Sequence, residues 1–307
     1  MPIETNLVEI ANYVGNLGPL FIISRFLWRC YKSQRALSTL RFSATISNTL
    51  LGYIIWWEIT FLSTVPRHVY VFFNVFIKRD PFSDTKILLN GPALFWTGFL
   101  PMQLIPIVSL SIFFLTVDRI IVIQYPLFFR SHRRKRMFNI VMMTTIISSL
   151  CLISWDSLTE LPIPETTYCM TTSCLFKKTG QRAYIYSKAV FGLLNFIAGI
   201  VFIVVYRRHH IITRNCQSDS GPSKNFLTQE KRITLFQRKI SFAAMLLILT
   251  EFFVNFMPQF IAIFLQKVFG ISISSNFPYY NTLFIVLDIM ISLCVYHKTL
   301  NKHFNGF

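Results

Sequence analysis

The chain has 307 residues, 53% of them hydrophobic and only 14% charged, against about 25% charged in a typical soluble protein. With a mean hydropathy of +0.50, a water-soluble fold of this length cannot hide its apolar surface, whereas a bilayer removes the problem. The formal net charge of +17 would suit a nucleic-acid partner, but the basic residues sit in short segments between apolar runs, so charge is read as membrane topology and nucleic acid is excluded.

A spanning helix takes about 20 apolar residues. Seven stretches meet that length: 7–28, 37–64, 92–122, 137–156, 183–206, 240–266 and 278–297. The first is short and interrupted by Asn12, Asn16 and Pro19. No basic region precedes it, so it is expected to act as a signal anchor rather than a cleaved signal. The longest connection, Arg207 to Lys239, carries the polar run Ser218–Ser223 (SDSGPS). No internal repeat and no soluble domain interrupts the series. The expectation is an all-α membrane protein, one domain over 1–307, built as a seven-transmembrane-helix bundle.

Charge sets the orientation. Twenty basic residues fall in the first, third and fifth connections and the tail: Arg25–Arg41, Arg130–Arg136, Arg207–Lys239, and Lys298 with Lys302. Nine fall on the other side, and Arg119 stands at a helix end. Lys and Arg concentrate on cytoplasmic segments, which places the N-terminus outside and the C-terminus in the cytoplasm.

Chemistry beyond the bilayer is sparse. The six cysteines, Cys30, Cys151, Cys169, Cys174, Cys216 and Cys294, show no paired metal spacing, and the histidines are scattered. No metal, cofactor or enzymatic activity is expected, since no nucleophile–base pair or phosphate loop appears. Glu251 and Asp288 are ionisable groups inside spans, where such residues are expensive and often functional. A hydrogen-bonded structural role is favoured for Glu251, with a cavity-lining role as the alternative.

The third span closes on Asp118-Arg119-Ile120-Ile121-Val122-Ile123-Gln124-Tyr125-Pro126-Leu127. This resembles the D-R-Y-x-x-x-x-x-P-[LIM] segment of rhodopsin-like G-protein-coupled receptors. Asp118, Arg119, Pro126 and Leu127 match it, and Ile120 replaces the tyrosine. The resemblance implies that Asp118 restrains Arg119 in the resting receptor and releases it toward a heterotrimeric G-protein on activation. An interfacial ion pair that merely anchors the helix end is the plainer alternative.

In the sixth span, Asn255-Phe256-Met257-Pro258 occupies the family's C-W-x-P position. Pro258 is expected to bend the helix, with Phe256 in place of the toggle tryptophan. In the seventh, Tyr296 alone matches N-P-x-x-Y. Gly15-Asn16 resembles the first-helix pair, and Asn48 is a candidate for the second-helix aspartate position.

The degenerate seventh-helix motif and the Phe- and Ile-rich spans resemble nematode chemosensory serpentine receptors. Asp118-Arg119, Pro126 and the loop Tyr168–Phe176 (YCMTTSCLF) are most similar to class BC, with class XA or another serpentine class as alternatives. The resemblance implies detection of a small environmental molecule, coupling to a heterotrimeric G-protein, and residence in the plasma membrane, specifically the ciliary membrane of sensory neurons. One departure concerns the disulfide that usually ties the third helix to the second outer loop. Leu94 stands at the expected third-helix position, so that bridge is absent. Cys169 and Cys174 either pair with each other or remain free thiols.

The fold implies a ligand site between the outer halves of the third, fifth, sixth and seventh spans. Gln103 lies roughly 24 Å outward from Arg119 at 1.5 Å per residue. With Gln259 and Tyr280 it is a candidate polar contact in a pocket walled by Phe256 and Phe260. Hydrogen bonding between helices is the equal alternative for Gln103 and Gln259. None of these groups is charged, so a small, neutral, fairly apolar ligand is expected. A neuropeptide or amine receptor of the same fold is the runner-up. An amine receptor would place a carboxylate in the third span, where 101–106 reads PMQLIP, and a peptide receptor would carry the missing disulfide. A transporter or channel would show repeats or a polar helix face.

Overall fold

The computed structural model describes residues 24–25, 48–74, 88–125, 131–168, 175–176, 178, 182–218, 242, 244–269, 287, 291 and 294. Most of the first and seventh sequence spans lie outside these residues. The described chain is largely helical: α1 is Asn48–Phe72, α2 Gly91–Gln124, α3 Ser131–Glu160 and α4 Arg182–Ser218. An apolar helical stretch, Ala244–Val254, runs into a π-helical turn, Glu251–Phe256, and then into α5, Met257–Phe269. Two short strands, β1 (Leu89–Asn90) and β2 (Thr166–Thr167), pair antiparallel with Leu89 opposite Thr167.

Three helices are long and apolar enough to cross a membrane: Gly91–Gln124, Arg136–Glu160 and Arg182–His209. They correspond to the third, fourth and fifth sequence spans. Only 17% of the most apolar window of the second of these is buried, which leaves Ile140, Met143, Ile147 and Leu150 exposed along α3. Four polar residues of α3, Thr145, Ser149, Asp156 and Glu160, are buried instead, while Asn139, Ser154 and Thr159 are exposed. Apolar outside and polar inside is the reverse of a soluble helix, and it fits a membrane-embedded protein whose exposed surface meets lipid.

Each helix has local reasons for its limits. The Asn90 side chain caps α2 by accepting from the Ala93 amide at 2.9 Å, and Pro92 follows at the first turn, where a missing N–H costs nothing. Gly91 is required there. Its amide donates to the Glu165 carbonyl at 2.9 Å, and any side chain would run into the Pro164 carbonyl. α1 continues past residue 64, where the sequence span ended, through Pro66, Arg67 and His68 to Phe72. Ser63 and Thr64 donate to the Thr60 and Phe61 carbonyls one turn before the proline, returning their hydroxyls to the backbone of the same helix. Polar side chains lowered the hydropathy there without ending the helix.

α2 is the central helix and packs on α1, α3 and α4. One apolar cluster joins Trp57 and Phe61 of α1 to Ile107 and Ile112 of α2, Phe202 of α4 and Leu247. A second sits at the Gly91 end and gathers Leu94, Phe95 and Phe99 with Leu175 and Phe176. Phe176 lies 5.4 Å from the Phe95 ring and 6.0 Å from that of Phe99. Leu94, fully buried, belongs to this cluster. Stacked rings and the β1–β2 ladder fasten the segment holding Leu175 and Phe176 to α2.

Candidate functional site

Asp118 and Arg119 close the buried part of α2, with 2% and 3% of their surfaces exposed. Arg119 Nη2 lies 3.2 Å from Asp118 Oδ2, and the Thr49 hydroxyl of α1 donates to the same oxygen at 2.9 Å. Successive helix positions point about 100° apart, so this ion pair requires the two side chains to turn toward each other. Arg119 Nε is buried without a hydrogen-bond partner. A buried pair carries a desolvation cost that its mutual attraction must offset. The Nε donor adds an unmet buried group to that cost. Asn48, the residue considered for a polar second-helix position, opens α1, and its neighbour Thr49 makes the contact.

A second polar centre lies two to three turns away along α2. The Ser109 hydroxyl donates to Glu251 Oε1, while the Ser109 backbone carbonyl accepts from Asn195 Nδ2 at 2.8 Å. One residue thus ties α2 both to α4 and to the π-helical turn. Glu251 is 3% exposed and hydrogen-bonded, in keeping with the structural role favoured from sequence.

The π-helical turn ends just before Pro258. The Met257 amide donates to the Phe252 carbonyl, five residues back. Proline lacks an N–H and its ring crowds the carbonyl four residues earlier, and one widened turn accommodates both effects. At Pro258, where the sequence led to the expectation of a bend, the structure shows a π-helical turn just before the proline. It supports a column of stacked rings, with Phe252–Phe256 at 5.7 Å and Phe256–Phe260 at 6.0 Å. Gly192 of α4 lies against Phe256, and a side chain at 192 would collide with that ring. About two helical turns further on, a Cβ at Gly199 would stand 2.6 Å from Ile248 Cγ2. Small residues at such spacing let membrane helices approach closely.

Phe256 and Phe260, expected in a ligand pocket, line a small cavity of about 20 Å³ together with Lys188, Ala189 and Ile263. Gln103 is elsewhere. It is fully buried, and its Nε2 donates to Asp156 Oδ2 on α3 at 2.7 Å. The helix-to-helix alternative describes it, and it is not part of the described cavity wall. Gln103 Oε1 and Asp156 Oδ1 have no hydrogen-bond partner. Gln259 falls within α5, but its side chain lies outside the described residues, as do Pro126, Leu127, Cys169, Cys174, Tyr280, Asp288 and Tyr296.

Among the charged groups within the sequence spans, Glu58, which accepts from the Ser24 hydroxyl, Asp156 and Lys188 were missed. Lys188 and Asp156 are lone charges in apolar runs, and that isolation was the available signal. Among the described residues, no group of three or more His, Cys, Asp or Glu side chains is placed to hold a metal ion. No protein-family model matches the sequence, and no curated protein matches it significantly.

Proposed function

We propose that this chain is a G-protein-coupled chemosensory receptor. In this reading it forms a seven-helix bundle in the plasma membrane, with the N-terminus outside and the C-terminus in the cytoplasm. It detects a small environmental molecule and activates a heterotrimeric G-protein.

The observation that carries the reading is the buried Asp118–Arg119 pair at the end of a membrane-length helix, clasped by Thr49 of the neighbouring helix. The arrangement suits a switch. A small shift of α1 against α2, or loss of the Asp118 charge, removes restraints on a guanidinium that already lacks one partner. The Ser109 junction supports it by linking α2 to the π-helical turn beside the cavity, so that a change at Phe256 has a mechanical path to α2.

The test is a screen of cells expressing the full chain, reading calcium and cAMP against volatile and water-soluble compounds. The expected result is a response that requires the chain and is abolished by blocking G-protein coupling. A response that persists with G-proteins disabled would favour a channel or transporter.

A further inference from the structure

Gln103 of α2 and Asp156 of α3 meet between two membrane-length helices, and both residues are fully buried. Gln103 Nε2 donates to Asp156 Oδ2 at 2.7 Å, the one hydrogen bond that the carboxyl group receives among the described residues. The second oxygen of each group, Gln103 Oε1 and Asp156 Oδ1, has no partner. Both orphan atoms are acceptors when the carboxyl is ionised, so neither can satisfy the other.

A carboxylate withdrawn from water needs a cation or several donors, and Asp156 has one neutral amide. On α2 no ionisable side chain lies between Gly91 and Val117. On α3, Glu160 follows one turn later, is buried, and accepts from the Lys178 amide at 3.1 Å. Like charges at that spacing repel. The Lys178 ammonium donates to the Leu161 carbonyl instead. Glu58, Arg67 and His68 on α1, and Arg182 and Lys188 on α4, make no hydrogen bond or ion pair with Asp156.

We propose that the Gln103–Asp156 pair is a proton-binding site, in which a proton on Asp156 Oδ1 bridges to Gln103 Oε1 and latches α2 to α3. Carboxyl and primary amide are both planar, and set edge to edge they exchange two hydrogen bonds, one in each direction. The proton turns one orphan acceptor into a donor for the other, so both are satisfied with no added molecule. It also removes the repulsion from Glu160. When the proton leaves, one bond is lost and a carboxylate is left with a single neutral donor, so the packing of α2 on α3 weakens as pH rises. The site holds whether or not the chain couples to a G-protein.

The experiment uses the purified full chain in lipid nanodiscs, with infrared spectroscopy and thermal unfolding over a range of pH. The parent at neutral pH should show an un-ionised carboxyl C=O band that disappears in Asp156→Asn, shifts in Gln103→Leu and fades as pH rises. Gln103→Leu keeps the carboxyl in place, so it assigns the band even if Asp156→Asn fails to fold. Asparagine can exchange the same two bonds with Gln103, so Asp156→Asn should keep a Tm close to the parent's, whereas Asp156→Leu and Gln103→Leu should each lower it. The parent's Tm should fall more steeply with rising pH than that of Asp156→Asn. The proposal is overturned if no un-ionised carboxyl band responds to either substitution, if Asp156→Asn is destabilised as much as Asp156→Leu, or if parent and Asp156→Asn share one pH dependence.

Discussion

The Thr49 hydroxyl donates a 2.9 Å hydrogen bond to the Asp118 carboxylate across the interface of α1 and α2. It reaches the same oxygen that Arg119 approaches at 3.2 Å, so the neighbouring helix helps position the carboxylate that pairs with the arginine. A buried hydrogen bond to a charged group contributes about 1.5–3 kcal/mol. Thr49→Val should therefore raise ligand-independent signalling several-fold. Asp118→Asn, which removes the restraining charge itself, should raise it further. Basal cAMP or calcium, normalised to surface expression, gives the ordering. Basal activity unchanged in both variants would show that the contact does not restrain Arg119.

The Gly192–Phe256 contact predicts a loss of stability. Gly192→Ala forces the ring or α4 to move, and overpacking of this kind costs about 1–3 kcal/mol. The variant's Tm in nanodiscs should fall, and Phe256→Leu in the same chain should restore part of it. A Gly192→Ala protein as stable as the parent would mean that α4 and the π-helical turn do not pack this closely.

At the Ser109 junction, carboxamide and carboxylate are interchangeable as acceptors, but an alkyl group is not. Glu251→Gln should leave the unfolding temperature nearly unchanged. Glu251→Leu should lower it because the Ser109 hydroxyl then loses that acceptor. Asn195→Leu should also lower it, through a loss of about 0.5–2 kcal/mol of stability, the range for hydrogen bonds between membrane helices. Equal stability of Glu251→Gln and Glu251→Leu would remove the junction from the account.

Topology gives an independent check. An epitope tag within Arg130–Arg136 (RSHRRKR) should be stained only after permeabilisation, because Lys and Arg concentrate on cytoplasmic segments. Staining of intact cells would reverse the orientation.

The sequence made some of this visible and hid the rest for identifiable reasons. The limits of α2, Gly91–Gln124, fall within two residues of the 92–122 span because Asn90 and Pro92 mark its start. The Asp118–Arg119 contact is local and could be read directly. The partner of Gln103 could not, because α2 is apolar on all its faces and hydrophobicity alone does not show which side meets α3. Asp156 stood at the edge of its span. Lys188 was counted with the flanking basic residues, although it lies inside the 183–206 run. Pro258 led to the expectation of a bend, whereas the π-helical turn before it depends on how the backbone shares out the lost hydrogen bond, which the sequence does not show.

The central claim is that Arg119 is the group released to drive a G-protein, and the most direct measurement is G-protein activation by Arg119→Ala. Cells expressing that variant at parental surface levels should show little agonist-stimulated activation, while agonist binding stays within a few-fold of the parent. Full signalling by surface-expressed Arg119→Ala would contradict the account and leave the Asp118–Arg119 pair as an anchor for the helix end.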